Sequence, residues 1–143
     1  MEDIKKLAEQ GDAHSQLVLG LEYYHGVDGV QKNKEEARRW IRKAAKQGDA
    51  DAQYSLGCLY HEEKDYEDAV EWFQKAAEQG NRGAQQNLGM YYYHGYGVEK
   101  NYEEATKWLE KEAAQGNLTA IITLTDIAKK TNNAYAGKYA PKN

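Results

Sequence analysis

The sequence predicts an all-α fold, a solenoid in which antiparallel helix pairs stack side by side. The first observation is a phrase, Ala-x-Gln-Gly-Asp/Asn, that occurs four times, with its glycines at Gly11, Gly48, Gly80 and Gly116. Self-similarity at intervals of roughly 32 to 37 residues is typical of a stacked array of repeats. The second observation is an Ala-x-x-Trp block that recurs with the same period, at Trp40, Trp72 and Trp108. Both periodicities point to the same fold class.

Each copy of the phrase marks the end of one helix and the start of the next. Its glycine can adopt the left-handed conformation that ends a helix. The next residue can accept backbone N–H bonds where the following helix begins, and these residues are Asp12, Asp49, Asn81 and Asn117. A second helix start is expected at Asn33, Asp65 and Asn101, each followed three places later by an acidic residue as in a capping box. Every repeat therefore holds two helices.

The elements follow in order along the chain. The expected helices span 2–10, 12–25, 34–47, 49–62, 66–79, 81–94, 102–115 and 117–131. The first is a half-repeat cap, the next six form repeats at about 12–47, 49–79 and 81–115, and the last is a terminal capping helix. Residues 1–131 then form a single repeat domain. For the tail at 132–143 two expectations stand side by side, disorder or packing over the last helix.

The composition excludes several classes of function. The formal net charge of −4 argues against nucleic-acid binding through a basic surface and suits a basic protein partner better. The single cysteine cannot form a disulfide within the chain, so nothing indicates an oxidising compartment. The first residues lack the apolar run of a signal peptide, and no segment approaches the length of a membrane span. The expected location is the cytoplasm, without membrane contact.

The repeated residues resemble those of a known family. The pattern Ala-x-x-x-Leu-Gly-x-x-Tyr, then Gly-x-Gly-Val, then Ala-x-x-Trp-x-x-x-Ala-Ala-x-x-Gly resembles the Sel1-like repeat, a relative of the tetratricopeptide repeat. The resemblance covers about residues 3–128 and implies a right-handed α-solenoid whose first helices line a concave surface. Sel1-like proteins are described as adaptors, so it also implies a role in protein binding. The middle loop lacks Gly-x-Gly-Val, and the last unit has Thr125 and Ala128 where the others have Gly and Tyr.

The candidate binding residues lie on the side of each first helix whose residue types do not repeat. Successive residues advance about 100° around a helix, so the repeated Ala, Gln, Leu, Gly and Tyr positions share one side, where the repeats stack. The opposite side is free to bind a partner, and tyrosine and methionine are enriched in protein interfaces. The expected partner-binding residues on the concave face are His14, Val18, Leu21, Tyr24, His25, Asp51, Tyr54, Cys58, His61, Gln86, Met90, Tyr93 and His94. For Leu17, Val18 and Leu21, packing against the N-terminal half-repeat is an equal alternative.

No cofactor, metal or catalytic group is expected. His25 and His94 occupy equivalent places two repeats apart, and no His-x-x-x-His or cysteine pair has the spacing of metal ligands. Cys58 and His61 share a helix face, but the sequence offers neither an oxyanion donor nor a third group to support catalysis. The sequence therefore predicts that the protein is not an enzyme.

The predicted function is non-catalytic binding of another protein. Small size and acidity favour a dedicated inhibitor, such as a bacterial immunity protein that blocks a basic toxin. The sequence leaves the oligomeric state open and is compatible with a monomer. The main alternative is an adaptor or scaffold in bacterial signalling or secretion. A β-lactam-binding or hydrolysing enzyme is disfavoured, because relatives described with that activity carry a cysteine pair in each repeat and this chain has one cysteine.

Overall fold

The computed structural model describes residues 3–27 and 29–131, and the tail expected at 132–143 lies outside them. The described residues form helices and connecting turns without any strand, which confirms the all-α prediction. The helices are α1 (Ile4–Glu9), α2 (Ala13–His25), α3 (Lys34–Lys46), α4 (Ala50–Glu62), α5 (Tyr66–Glu78), α6 (Arg82–His94), α7 (Tyr102–Ala114) and α8 (Leu118–Thr131). Every helix lies within two residues of its expected bounds.

Each helix packs against its neighbours in the chain. The most extensive contacts join α2 to α3, α4 to α5 and α6 to α7, the two helices of one repeat. Further contacts join α1 to α2, α3 to α4, α5 to α6 and α7 to α8, which link each unit to the next. This order of contacts is that of a solenoid. We refer to α2, α4, α6 and α8 as the first helices and to α3, α5 and α7 as the second helices.

The joints between repeats have the geometry that the phrase predicts. At the first joint, Gly11 has a φ of 102°, and the N–H of Asp12 donates to the carbonyl of Leu7 at 3.1 Å. The Asp12 carboxylate in turn accepts the N–H of Ser15 at 2.9 Å, so one residue closes α1 and caps α2. The same pair of bonds recurs at the other three joints, through Asp49, Asn81 and Asn117.

The glutamine of the phrase has a role that the sequence did not reveal. The Gln47 amide donates to the carbonyl of Gly11 at 3.0 Å and to the side-chain oxygen of Gln16 at 2.8 Å. Gln16 then donates to the carbonyl of Ala8 at 3.1 Å. The Gln79 amide repeats the pattern one unit later, with the carbonyl of Gly48 and the side chain of Gln53. These side chains tie the second joint to the first and the third joint to the second.

Replacing Gln47 by alanine should lower the free energy of unfolding by about 1–2 kcal/mol, because the buried Gln16 would lose its donor. Urea denaturation followed by circular dichroism measures the loss. The matched control is Gln115→Ala in the fourth phrase, since Gln115 makes no such bond to Gly80 or Gln85 in the described ranges and should lose almost nothing. Equal losses for the two variants would contradict a stabilising role for the glutamine bonds between joints.

The prediction of a capping box is wrong in the middle repeat. Asn33 and Asn101 accept backbone N–H groups of Glu36 and Glu104, as expected, but Asp65 makes no side-chain cap bond. The connection before α5 is a short turn in which Lys64 has a φ of 62° and Asp65 a ψ of 75°. This turn takes the Asp65 carboxylate out of capping geometry, because the backbone is not extended as at the other two starts.

The repeated glycines of the first helices are sites of close helix approach. A Cβ on Gly57 would lie 2.7 Å from the Phe73 ring, and one on Gly20 would lie 2.5 Å from Ile41. Gly89 meets Leu109 in the same way. Thr125 replaces glycine in α8 and is half-buried, since no second helix follows it in the described part of the chain. The three tryptophans are buried in the second helices, as expected of core anchors.

Candidate functional site

The thirteen candidate residues lie on the first helices, and we call the surface that they form the first-helix face. None of the thirteen side chains is buried. Five of them are exposed, namely His14, His25, Asp51, His61 and His94. The other eight are half-buried, and side-chain bonds such as those of Tyr24 with Glu62 and Tyr93 with Asp126 link consecutive first helices here. This face therefore combines accessible groups with tyrosines held in place by neighbours.

The first group of candidates surrounds a cavity between α2 and α4. The cavity has a volume of about 130 Å³, and its lining includes Leu21, Tyr24, His25, Tyr54 and Cys58 from the expected set. The sequence analysis did not assign the remaining lining residues to the binding set, and these are Ile41, Ser55, Leu59 and Glu62. The structure therefore brings five of the thirteen candidates together around one small hollow.

The polar groups of this cavity are constrained by contacts within the fold. The Tyr24 hydroxyl donates to the Glu62 carboxylate, and this bond raises the pKa of Tyr24. Burial raises the pKa of the Cys58 thiol above its ordinary value. A thiol with a raised pKa carries little thiolate at neutral pH, so Cys58 is not activated as a nucleophile.

The second group joins α6 to α8. The Tyr93 hydroxyl donates to the Asp126 carboxylate, and this bond, together with Lys130 at 3.0 Å, lowers the pKa of Asp126. The sulfur of Met90 accepts the hydroxyl of Thr123 at 3.6 Å. Truncating Tyr93 or Met90 would therefore disturb the stacking of the last repeat as well as any contact with a partner.

A third group is an aromatic cluster at the C-terminal ends of α4 and α6. His61 Nδ1 lies 2.7 Å from the Tyr91 hydroxyl, and the ring of Tyr96 stacks on Tyr66 and on His94 at centroid distances of 4.7 and 4.8 Å. Only the two histidines were among the candidates. One signal was present in the sequence, because tyrosine begins the second helix of both later repeats, where it meets aromatic residues of α6.

The remaining candidates lie outside these groups. Asp51 accepts the amide of Asn81 at 3.2 Å, and Gln86 accepts that of Asn117 at 3.1 Å, so both connect neighbouring first helices. His14 is exposed and Val18 is half-buried. Leu17, by contrast, is buried in the core cluster that extends through all three repeats, while the cluster around α1 is built on Leu19 and Trp40. The alternative of packing against the half-repeat is thus wrong for Leu17.

The arrangement offers no catalytic constellation among the described residues. Cys58 lines the α2–α4 cavity, whereas His61 belongs to the aromatic cluster and pairs with Tyr91. No group of three or more His, Cys, Asp or Glu side chains in the described ranges could hold a metal ion. Larger hollows lie elsewhere in the described ranges. Those of about 430 and 590 Å³ lie mainly along the second helices, and another of about 260 Å³ lies on α8 beside Ile122, Asp126 and Lys129. Charged side chains of both signs form much of the lining of all three, whereas ligand sites are typically lined mostly by apolar groups.

The fold is a repeat solenoid. It is defined by the helix pairs, by the Asp or Asn residues that close one helix and cap the next, and by the glycines at which helices approach closely. The chain belongs to the Sel1 repeat family, whose model matches residues 13–49, 50–81 and 83–117. Sel1 repeat proteins generally mediate protein–protein interactions and are generally non-catalytic scaffolds. None of the helices in the described ranges is long and apolar enough to cross a membrane.

Solved structures share this fold. One is a protective antigen present in uropathogenic Escherichia coli strains, 40% identical, with a TM-score of 0.78 over 98% of this chain and 29% of that one. A Sel1 repeat protein from Oxalobacter formigenes is 41% identical, with a TM-score of 0.75 over 87% of this chain and 96% of that one. A sel1 repeat protein from Klebsiella pneumoniae is 20% identical, with a TM-score of 0.61. The match covers 93% of this chain and 75% of that one, and at this identity it shows a shared fold alone. The chain spans under a third of the first relative. No curated protein sequence matches it.

Proposed function

We propose that the protein is a non-catalytic binding module that holds a partner protein against its first-helix face, on the concave side of the solenoid. The observation that carries the proposal is the α2–α4 cavity, which lies among non-repeating tyrosine and apolar side chains. Because the residue types around the cavity differ from repeat to repeat, the cavity is not required by the packing that all the repeats share. Half-buried tyrosines held by neighbours lose little entropy when a partner covers them.

The charge of the chain favours a basic partner. The net charge is −4, and Asp51, Glu62 and Asp126 lie on or beside the first-helix face. Such a surface would speed the association of a basic protein, with a rate that falls as salt rises. We therefore favour a dedicated inhibitor, such as a bacterial toxin-immunity protein, over an adaptor in signalling or secretion. An adaptor would bind with weak salt dependence if its partner were neutral.

The test places an arginine in the middle of the first-helix face. Ser55→Arg adds bulk at the cavity without removing a packed side chain, so we expect partner affinity to fall at least about tenfold. The tagged protein captures a partner from its native lysate, mass spectrometry identifies that partner, and titration calorimetry measures the affinity.

The matched control is Ala114→Arg, an exposed position at the end of α7 on a second helix. This variant should bind as the unaltered protein does, and both variants should keep the same helical circular dichroism. Unchanged affinity in Ser55→Arg, or equal losses in both variants, would contradict binding through the first-helix face.

A further inference from the structure

We propose that the α2–α4 cavity is a subsite for one particular feature of the partner, an apolar side chain of leucine size that lies next to a cationic group. The inference rests on the proposed function, since it describes what the first-helix face recognises. The apolar group would enter the cavity, and the cation would pair with the Glu62 carboxylate at its rim.

The walls of the cavity suit an apolar group. Leu21, Ile41 and Leu59 contribute aliphatic surface, and the rings of Tyr24 and Tyr54 contribute aromatic surface. An engineered apolar cavity of about 150 Å³ accepts a molecule the size of benzene, so a hollow of about 130 Å³ is large enough for a branched aliphatic side chain. The lining includes the exposed residues His25 and Glu62, so a partner could reach the cavity without any movement of the helices.

The cavity exists because the second repeat carries smaller residues than the third. Cys58 and Leu59 of α4 correspond to Met90 and Tyr91 of α6. Between α4 and α6 the Tyr91 ring is buried and reaches His61 across the space that remains open one repeat earlier. The opening between α2 and α4 is therefore absent in this form from the following joint, between α4 and α6.

The charge at the rim selects a cation. The Glu62 side chain is 42% exposed and already accepts the Tyr24 hydroxyl, which fixes one of its oxygens. Its nearest cation is Lys34, whose Nζ lies 3.9 Å away on a side chain that is 56% exposed, a weak and easily displaced pair. The lining residues include no second carboxylate and no lysine or arginine, so the Glu62 carboxylate gives the rim its attraction for positive charge.

The experiment uses three small probes that share an isoamyl group and differ in charge: isoamylammonium, isoamyl alcohol and 4-methylpentanoate. Cys58 is the single cysteine of the chain and lines the cavity, so occupancy should slow its alkylation by iodoacetamide. Amide chemical shifts of Ser55 and Leu59 provide an independent measure. At pH 8 we expect isoamylammonium to bind about fivefold tighter than the alcohol, and the carboxylate to bind weakest.

Two variants and one control separate the two parts of the subsite. Glu62→Gln should make the ammonium and the alcohol bind equally, whereas Glu63→Gln, next to it in the chain but paired with Arg38, should preserve the preference. Cys58→Met, which introduces the residue of the third repeat, should fill the cavity and abolish the chemical-shift changes with all three probes. Equal binding of the three probes to the unaltered protein, or shifts that survive Cys58→Met, would overturn the inference.

The captured partner distinguishes this inference from the proposed function. A partner that protects Cys58 from alkylation supports both. If a partner loses affinity for Ser55→Arg but leaves the alkylation rate of Cys58 unchanged, the subsite is wrong and the binding face stands. If no partner binds while isoamylammonium still protects Cys58, the cavity does bind an apolar group next to a cation. The proposed function is then wrong, and so is the inference that a partner protein occupies the cavity.

Discussion

Replacing Gly57 by leucine should destabilise the protein by about 3 kcal/mol or more, because α4 and α5 cannot remain at their present separation. Even a Cβ at this position would lie 2.7 Å from the Phe73 ring. Phe73 is fully buried, so its ring has no free space into which to move. The helix-favouring effect of replacing glycine offsets only about 1 kcal/mol of this cost. Urea denaturation measures the change, with the unfolding midpoint and its slope read together.

The chain offers its own control for this variant. Thr125 occupies the same position of the repeat in α8, is half-buried, and has no second helix against it in the described residues. Thr125→Leu should therefore lower the free energy of unfolding by less than about 1 kcal/mol, because the side chain meets no facing helix in the described residues and gives up only its hydroxyl bond to the Ile121 carbonyl. A comparable loss at Thr125 would mean that helix approach is not the reason for the glycines.

Replacing Phe73 by alanine should cost about 4 kcal/mol, the loss typical of a large aromatic residue removed from a core. Phe73 is fully buried, and its ring contacts Tyr91 at a centroid distance of 5.4 Å and Tyr54 at 5.9 Å. The cavity left behind would lie at the joint between the second and third repeats. Thermal and urea unfolding should both show the loss.

The residue of the neighbouring repeat supplies the comparison. Leu109 occupies the place of Phe73 in the third repeat, so Phe73→Leu introduces a side chain that this type of position already accepts. We expect a cost of about 1.5 kcal/mol or less for this variant. If leucine proved as damaging as alanine, ring contacts with Tyr54 and Tyr91 would outweigh the filling of volume.

The fold could be predicted because its determinants are local and repeated. A glycine followed by Asp12 or its equivalents specifies a helix end and a helix start within two residues, and four copies reinforce one another. The tryptophans and the glycines at Gly20, Gly57 and Gly89 also pack as their shared period indicates. The one capping error, at Asp65, arose where a shorter connection changed the backbone entering the helix.

The candidate site could be predicted only in outline. Helix periodicity indicates which side of α2 or α4 a residue occupies, but the partners of that residue come from a helix about 30 residues away. The pairing of Tyr24 with Glu62, and the space left by Cys58 and Leu59, depend on differences between repeats. A repeat pattern records what the units share, so it gives no information on such differences. The aromatic cluster around Tyr96 was missed although tyrosine begins α5 and α7, because a shared position does not show which aromatic residues of α6 and its following loop it meets.

The joints also have an evolutionary consequence. Each joint is closed by backbone bonds, one Asp or Asn cap and, at two of them, a glutamine that reaches back by one unit. All of these groups belong to the recurring phrase or to its immediate surroundings. Duplication or deletion of a whole unit between two glycines would therefore leave every joint chemically complete. The number of units in such a gene can change by recombination without fresh adaptation of the connections, and selection can act on the first-helix face separately.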